Sequence, residues 1–201
     1  MTQIFLQGGP IMWPLLILSI VTATVVLERI AFMISVSLKR QNSSVEAILM
    51  AVESGEIAQA LEIGRGSTDF VSRTLTYALE HRDKAFSAAL LYTAAVELKR
   101  FNRGLAVLDT SITLAPLLGL LGTVTGMIHA FGLLGTQELS APVAITGGIA
   151  QALIATAFGL GIAILSLIPF NFLNSRLEQA RHEIEDAGTR LELLLQHPRG
   201  N

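Results

Sequence analysis

Five side chains in and beside the most apolar part of this chain could handle an ion: Thr123, His129, Gln151 and Thr156 within it, and Asp109 at its edge. Hydroxyl and carboxamide groups solvate a proton or a small cation, but Thr and Gln do not ionise. Gln151 and Thr156 stand five residues apart, roughly 7.5 Å along a helix axis. A glutamine at bilayer depth is costly unless something polar meets it, and a lined pore or an incoming polar partner would do so. What the stretch lacks is a set of carboxylates. From residue 110 to residue 175 there is no Lys or Arg, and the ionisable groups are Glu138 and His129. Ion coupling through a titrating carboxylate would therefore need one supplied from elsewhere. His129, near the end of its span, can titrate between pH 5 and 8 as a relay, or serve as an interfacial hydrogen-bonder. Asp109, six residues after Arg103, reads as a group at the mouth of a path or as a solvated helix-start residue.

The elements that must position these groups are membrane helices. About 20 apolar residues cross a bilayer, so the stretch holds two spans, residues 109–134 and 142–172, joined by a short turn at 135–141. At 100° per residue, Gly119, Gly122, Thr123, Gly126 and His129 fall within an arc of about 120°. Gly148, Gln151, Ala152, Ala155, Thr156, Gly159, Ala163 and Ser166 share about 140° of the next helix, with Leu153, Ile154, Leu160 and Ile164 opposite. Small faces let helix backbones approach closely, so Gly119, Gly122, Gly126, Gly148, Ala152, Ala155 and Gly159 are expected to pack the two spans together. Pro116 and Pro169 are expected to bend them.

A third span, residues 10–38, precedes these. It is not read as a cleaved signal peptide: residues 1–10 carry no Lys or Arg, the apolar run is too long and no small-x-small site follows. Glu28 and Arg29 are expected to reach headgroups and water by snorkelling, and Trp13 to sit in an aromatic belt. Lys39, Arg40, Lys99, Arg100, Arg103, Arg176 and Arg181 all fall on one side of the three spans, whereas 1–9 and 135–141 have no basic residue. By the positive-inside rule the N-terminus is outside, and residues 39–108 and 173–201 are cytoplasmic.

The segment 39–108 reads as helices throughout. Ser43 and Glu46 offer a capping box, Ser54-Gly55 a stop, residues 56–63 a second short helix closed by Gly64-Arg65-Gly66, and Thr68 or Asp69 a cap for a third running to about His81. From Asp83 to Leu108 there is one Gly and no Pro, so a helix is expected to continue unbroken into the second span. In the tail, Leu177, Ala180, Ile184, Ala187, Leu191 and Leu194 form a heptad seam that needs a partner, in this chain's own helices, in another copy or, as expected here, in a mixture of the two. The whole is an all-α polytopic membrane protein with a helical cytoplasmic domain.

Composition agrees. Mean hydropathy is +0.57, and 15% of residues are charged against about 25% in a typical soluble domain. A net charge of −2 without a basic stripe gives no footprint for nucleic acid. The absence of cysteine removes thiolate metal sites and disulfides. No phosphate loop, metal-ligand spacing or nucleophile with a nearby base appears, so neither an enzyme nor a cofactor is expected.

Residues 119–126 (GLLGTVTG), 127–131 (MIHAF) and 148–157 (GIAQALIATA) resemble the two membrane signatures of the MotA/TolQ/ExbB proton-channel family. Residues 8–15 (GGPIMWPL) and 27–29 (LER) resemble the first span of its ExbB/TolQ branch. The resemblance covers essentially the whole chain. It implies a pentameric ring in a bacterial inner membrane, with the second and third spans lining a pore that encloses single helices of an ExbD/TolR-type partner. That partner supplies the proton-carrying aspartate, and a TonB- or TolA-type protein receives the motion. The threonines matching the family's pore are Thr123 and Thr156. Where Gln151 stands, well-known members often have glutamate; glutamine keeps a polar contact but removes a titratable group, so this ring either takes part in proton transfer itself or only shapes the path. The alternatives from other classes are a self-sufficient homo-oligomeric cation channel and a structural membrane scaffold. The four-span flagellar branch fits less well.

Overall fold

The computed structural model describes residue 5, residues 7–132 and residues 141–196, with the side chains of all but 141–145. Among these the chain is entirely helical outside its turns: α1 (Met12–Lys39), α2 (Asn42–Glu53), α3 (Ile57–Gly66), α4 (Phe70–Glu80), α5 (Arg82–Asn102), α6 (Leu105–Gly132) and α7 (Ala141–Gln196). Three helical stretches, containing α1, α6 and α7, are long and apolar enough to cross a membrane. Helices suit that medium because every interior backbone group bonds within its own segment. The protein is thus an all-α polytopic membrane protein. The turn expected at 135–141, together with Glu138, lies outside the described residues except for Ala141, which opens α7.

The chain divides into two compact units. The membrane unit comprises Met1–Arg29 and Gly104–Phe172; the polar unit comprises Ile30–Arg103 and Leu173–Asn201. In the membrane unit, Met12 and Leu15 of α1 are buried with Ala115 of α6 and Ala163 of α7, and Phe5 and Ile11 pack against them. Many large apolar side chains face outward, Leu165 at 72% exposure and Ile168 at 68% among them. In water such a surface would aggregate; beside lipid tails it is at home. Helices α6 and α7 run through Pro116 and Pro169 without interruption.

Three local expectations need correction. The helix from Asp83 does not run unbroken into the second span: Arg103 is extended (φ −59°, ψ 133°) and Gly104 takes φ +82°, which separates α5 from α6. The left-handed conformation suits glycine, and a Cβ at Gly104 would press on Val25 Cγ1 at 2.9 Å. Arg29 does not snorkel outward. It is 2% exposed, paired with the carboxylate of Glu28, and its stem lies beside Gly104. Ser43 and Glu46 form no capping box, because α2 starts two residues earlier, with Gln41 at its N-cap, and the Glu46 carboxylate accepts from both terminal nitrogens of Arg190 at 2.9 and 3.1 Å.

The polar unit otherwise follows its sequence. Gly55 (φ +79°) closes the turn after α2, and Gly64 lies flush against Thr76 of α4. Asp69 caps α4 by accepting from the N–H groups of Val71 (2.8 Å) and Ser72 (3.1 Å). The same carboxylate takes the Arg40 guanidinium at 2.5 Å and the Gln41 N–H at 2.9 Å. Arg40 also reaches Glu183 of α7 at 2.9 Å. The seam residues Leu177, Ala180, Ile184, Ala187 and Leu191 are buried within the chain, and Gly188 lies against Leu90 of α5. Five of the six seam residues thus pack within this unit, and Leu194 is half-buried.

Candidate functional site

In the membrane unit α6 and α7 meet along their small residues. A Cβ added at Gly159 would strike the Ala115 carbonyl oxygen at 2.5 Å, and one at Gly119 would meet Thr156 Cα at 3.0 Å. Gly122 faces Ala155, and Gly126 faces Gly148 and Ala152. Backbone thus meets backbone over three turns, the geometry small-xxx-small faces permit.

The polar side chains sit at the margins of this contact. Thr156, half-buried, donates its hydroxyl across the helix pair to the Gly119 carbonyl at 3.1 Å. Thr123, also half-buried, donates to its own helix at Leu120 O (2.6 Å), on the rim of an apolar recess formed with Val124, Met127, Ile128 and Phe131. Such back-bonding satisfies the hydroxyl proton while leaving its oxygen lone pairs able to accept.

Gln151 has a different neighbour. Its carboxamide lies where a side chain on Gly9 would have to go, and Gly9 itself takes φ +74°. Five residues at 100° put Gln151 and Thr156 about 140° apart around α7. One faces the N-terminal turn and the other faces α6, so they do not join into a single polar cluster. His129 and Asp109 are both exposed on α6. The Asp109 face continues with exposed Thr110 and Thr113, whose hydroxyls donate back to Ala106 O and to Thr110 O.

One polar pair escaped the reading from sequence. Thr22 of α1 donates to Ser111 Oγ at 2.8 Å, and Ser111 donates to Val107 O at 2.8 Å, all within buried surroundings. The available signal was one hydroxyl among several in each of two apolar runs, Thr22 between Ser19 and Thr24 and Ser111 between Thr110 and Thr113. Any such hydroxyl can satisfy itself on its own helix, so the pairing could not be foreseen.

Between residues 110 and 132 and between 146 and 172 the chemistry open to these helices is solvation by hydroxyl, carboxamide and imidazole groups. The pattern defining the MotA/TolQ/ExbB proton channel family matches residues 64–186. An ExbB-like biopolymer transport protein of Synechocystis sp. (ExbB-like 1) is 38% identical over 201 residues, covering 94% of this chain and 77% of that protein. An ExbB homolog of Methanothermobacter thermautotrophicus is 31% identical over 187 residues, covering 91% of this chain and 66% of its own length. The biopolymer transport protein ExbB of Neisseria gonorrhoeae is 40% identical over 77 residues, covering 38% of this chain and 35% of that protein. The chain belongs to the MotA/TolQ/ExbB proton channel family, on its ExbB-like side. That is a family of transport components and not of enzymes.

Proposed function

We propose that this chain is the ring-forming subunit of a motor driven by the proton-motive force across a bacterial inner membrane. Its N-terminus faces outward and the polar unit and C-terminus face the cytoplasm. Five copies surround single-span helices of an ExbD/TolR-type partner, and the aspartate on that partner carries the proton. Proton flow moves the partner against the ring, and a TonB- or TolA-type protein passes the work to the envelope.

One observation carries this reading: α6 and α7 offer hydroxyls at the edge of a close-packed stripe, with no Asp or Glu between residues 110 and 132 or between 141 and 172. A wall of that kind solvates a proton carried by another chain. Thr123 and Thr156 then line the path. Gln151 shapes it by holding the Gly8-Gly9 turn, Asp109 stands at the cytoplasmic mouth, and His129 lies near the outer end. Gly119, Gly122, Gly126, Gly148, Ala152, Ala155 and Gly159 keep the wall rigid.

The test is Thr156→Val and Thr123→Val in the native host. Each removes a hydroxyl at nearly constant volume, so the partner should still copurify while transport driven by the proton gradient is lost. Full transport in both variants would refute the assignment. Proton or cation conductance by this chain alone in liposomes would favour a self-sufficient channel instead. Neither conductance nor dependence on the gradient would indicate a scaffold.

A further inference from the structure

The turn that leads into α1 is built around two glycines and touches both of the other membrane helices. Gly8 donates its N–H to Phe5 O at 3.2 Å, and Gly9 O accepts from the Met12 N–H at 3.1 Å. The turn meets α7 at Gly9. A Cβ there would lie 1.8 Å from Gln151 Nε2, 2.7 Å from its Cδ and 3.2 Å from its Cγ, so the glutamine carboxamide fills the space that a side chain on residue 9 would need. Gly8 is buried beside it, with Ile154 Cγ2 at 3.1 Å from the place of its missing Cβ. Gln151, Ile154 and Ala155 stand at i, i+3 and i+4, one face of α7. Ile11, just past the turn, reaches α6: a Cβ on Gly122 would meet Ile11 Cγ2 at 2.8 Å and Ala155 Cβ at 2.5 Å. Ile11 and Ala155 thus close over Gly122 together. Thr123 is the next residue of α6, and Thr156 the next of α7.

From these contacts we propose that Gln151 is a positioning residue. Its side chain seats the Gly8-Gly9 turn, the seated turn holds Ile11 against Gly122, and that contact sets the spacing of α6 and α7 where Thr123 and Thr156 stand. The proposal rests on the reading of those threonines as the ion path, and it takes Gln151 itself off that path. The contact is one of shape. The carboxamide can lie there only because residue 9 has no Cβ, and Gly9 at φ +74° holds a conformation that suits glycine. A misplacement of about 1 Å that starts far from the chemistry can cost about 100-fold in rate, so a loosened turn should be felt at the threonines.

The chain has no cysteine, so Ile11→Cys reports on the seat by itself. Its rate of reaction with N-ethylmaleimide is measured on the full-length protein in native membranes, and transport driven by the proton gradient is measured in cells carrying the same variants without the reporter. Gln151→Ala should raise the labelling rate roughly tenfold, in proportion to the unseated population, and lower transport roughly tenfold or more while the partner still copurifies. Gln151→Met keeps the length of the side chain without its amide and should restore both. Gly9→Ala reaches the same contact from the turn; combined with Gln151→Ala it should do no more than the larger of the two alone, since one contact is broken. Unchanged labelling in Gln151→Ala overturns the seat. Faster labelling with full transport overturns the positioning role, and so does Gln151→Met with slow labelling and lost transport, which would put the amide on the ion path. Labelling is read without transport, so failure of the threonine path, seen as full transport in Thr123→Val and Thr156→Val, is told apart from failure of the seat.

Discussion

Where Gly119 and Gly159 bring α6 and α7 together, backbone touches backbone; where Arg40 reaches Asp69 and Glu183, one guanidinium serves two carboxylates from distant parts of the chain. The membrane unit holds its helices by shape, with cross-helix hydroxyl bonds such as Thr22–Ser111 and Thr156–Gly119 as supplements. The polar unit holds them by caps and ion pairs laid over a buried seam. The difference follows from the medium. Lipid tails are as apolar as leucine, so burying leucine drives nothing between spans and close contact must do the work. Outside the hydrocarbon, burial of the heptad seam drives packing, and charges fix its register. Shape should respond to added volume and ignore salt and pH, whereas ion pairs should do the reverse.

The largest effect is expected where volume meets backbone. Gly159→Val puts a branched side chain where the Ala115 carbonyl oxygen already stands 2.5 Å from a Cβ. Neither helix can yield, so the membrane unit should lose about 3 kcal/mol or more, seen as a lowered unfolding temperature in detergent at any salt concentration. Gly161 has open space around it. Gly161→Ala should leave the unfolding temperature unchanged or raise it slightly, and an equal loss from both variants would mean that close contact is not the cause.

Next in size is Arg40→Ala. Asp69 is fully buried, and removing its cation leaves a carboxylate answered by N–H groups alone. The expected cost is about 3 kcal/mol, which should speed amide exchange at Val71 and Ser72 by roughly 100-fold. The pH dependence has a definite sign. Burial pushes the Asp69 carboxyl up, but the Gln41 N–H, the Arg40 guanidinium and the Ser72 N–H outweigh it and hold it below its ordinary value. The unfolded chain therefore takes up the proton first on acidification. Asp69's contribution is complete above about pH 3.9, the usual aspartate value, and falls away as pH drops through the lower folded-state value. Stability of the polar unit should decline in that acid window, and the decline should flatten in Arg40→Ala.

How much of this was legible in sequence depended on how local the determinant is. The Asp69 cap was readable because an N-cap acts on N–H groups two and three residues ahead. The small faces of α6 and α7 were readable because a 3.6-residue period places them together. The break at Gly104 was not. A lone glycine is tolerated inside many helices, and its reason here lies in Val25 and Arg29 on another helix. The capping-box signature at Ser43 and Glu46 was present, yet Glu46 answers to Arg190, 144 residues away. Gln151 was recognisable as a polar group needing company. That its company is the Gly9 turn depends on how the N-terminal segment folds onto α7, which no spacing within α7 encodes.

The smallest effect sharpens the comparison most, because it separates exposed charge from buried charge within one unit. Arg190 holds the Glu46 carboxyl below its ordinary value, chiefly by hydrogen bonding, against a weak upward push from burial. Both side chains remain about half exposed, at 48% and 54%. Water and salt screen such a pair, so Glu46→Gln should cost no more than about 0.5 kcal/mol, and that cost should vanish in 1 M salt, where the screening length is about 3 Å. Arg40→Ala measured in the same salt should keep most of its penalty, since Asp69 is shielded from the ions. The readout is chemical denaturation of each variant with urea, which leaves ionic strength free to be set. If salt erased both penalties alike, Asp69 would have to be reached by solvent, and the distinction between the buried and exposed pairs of the polar unit would fall.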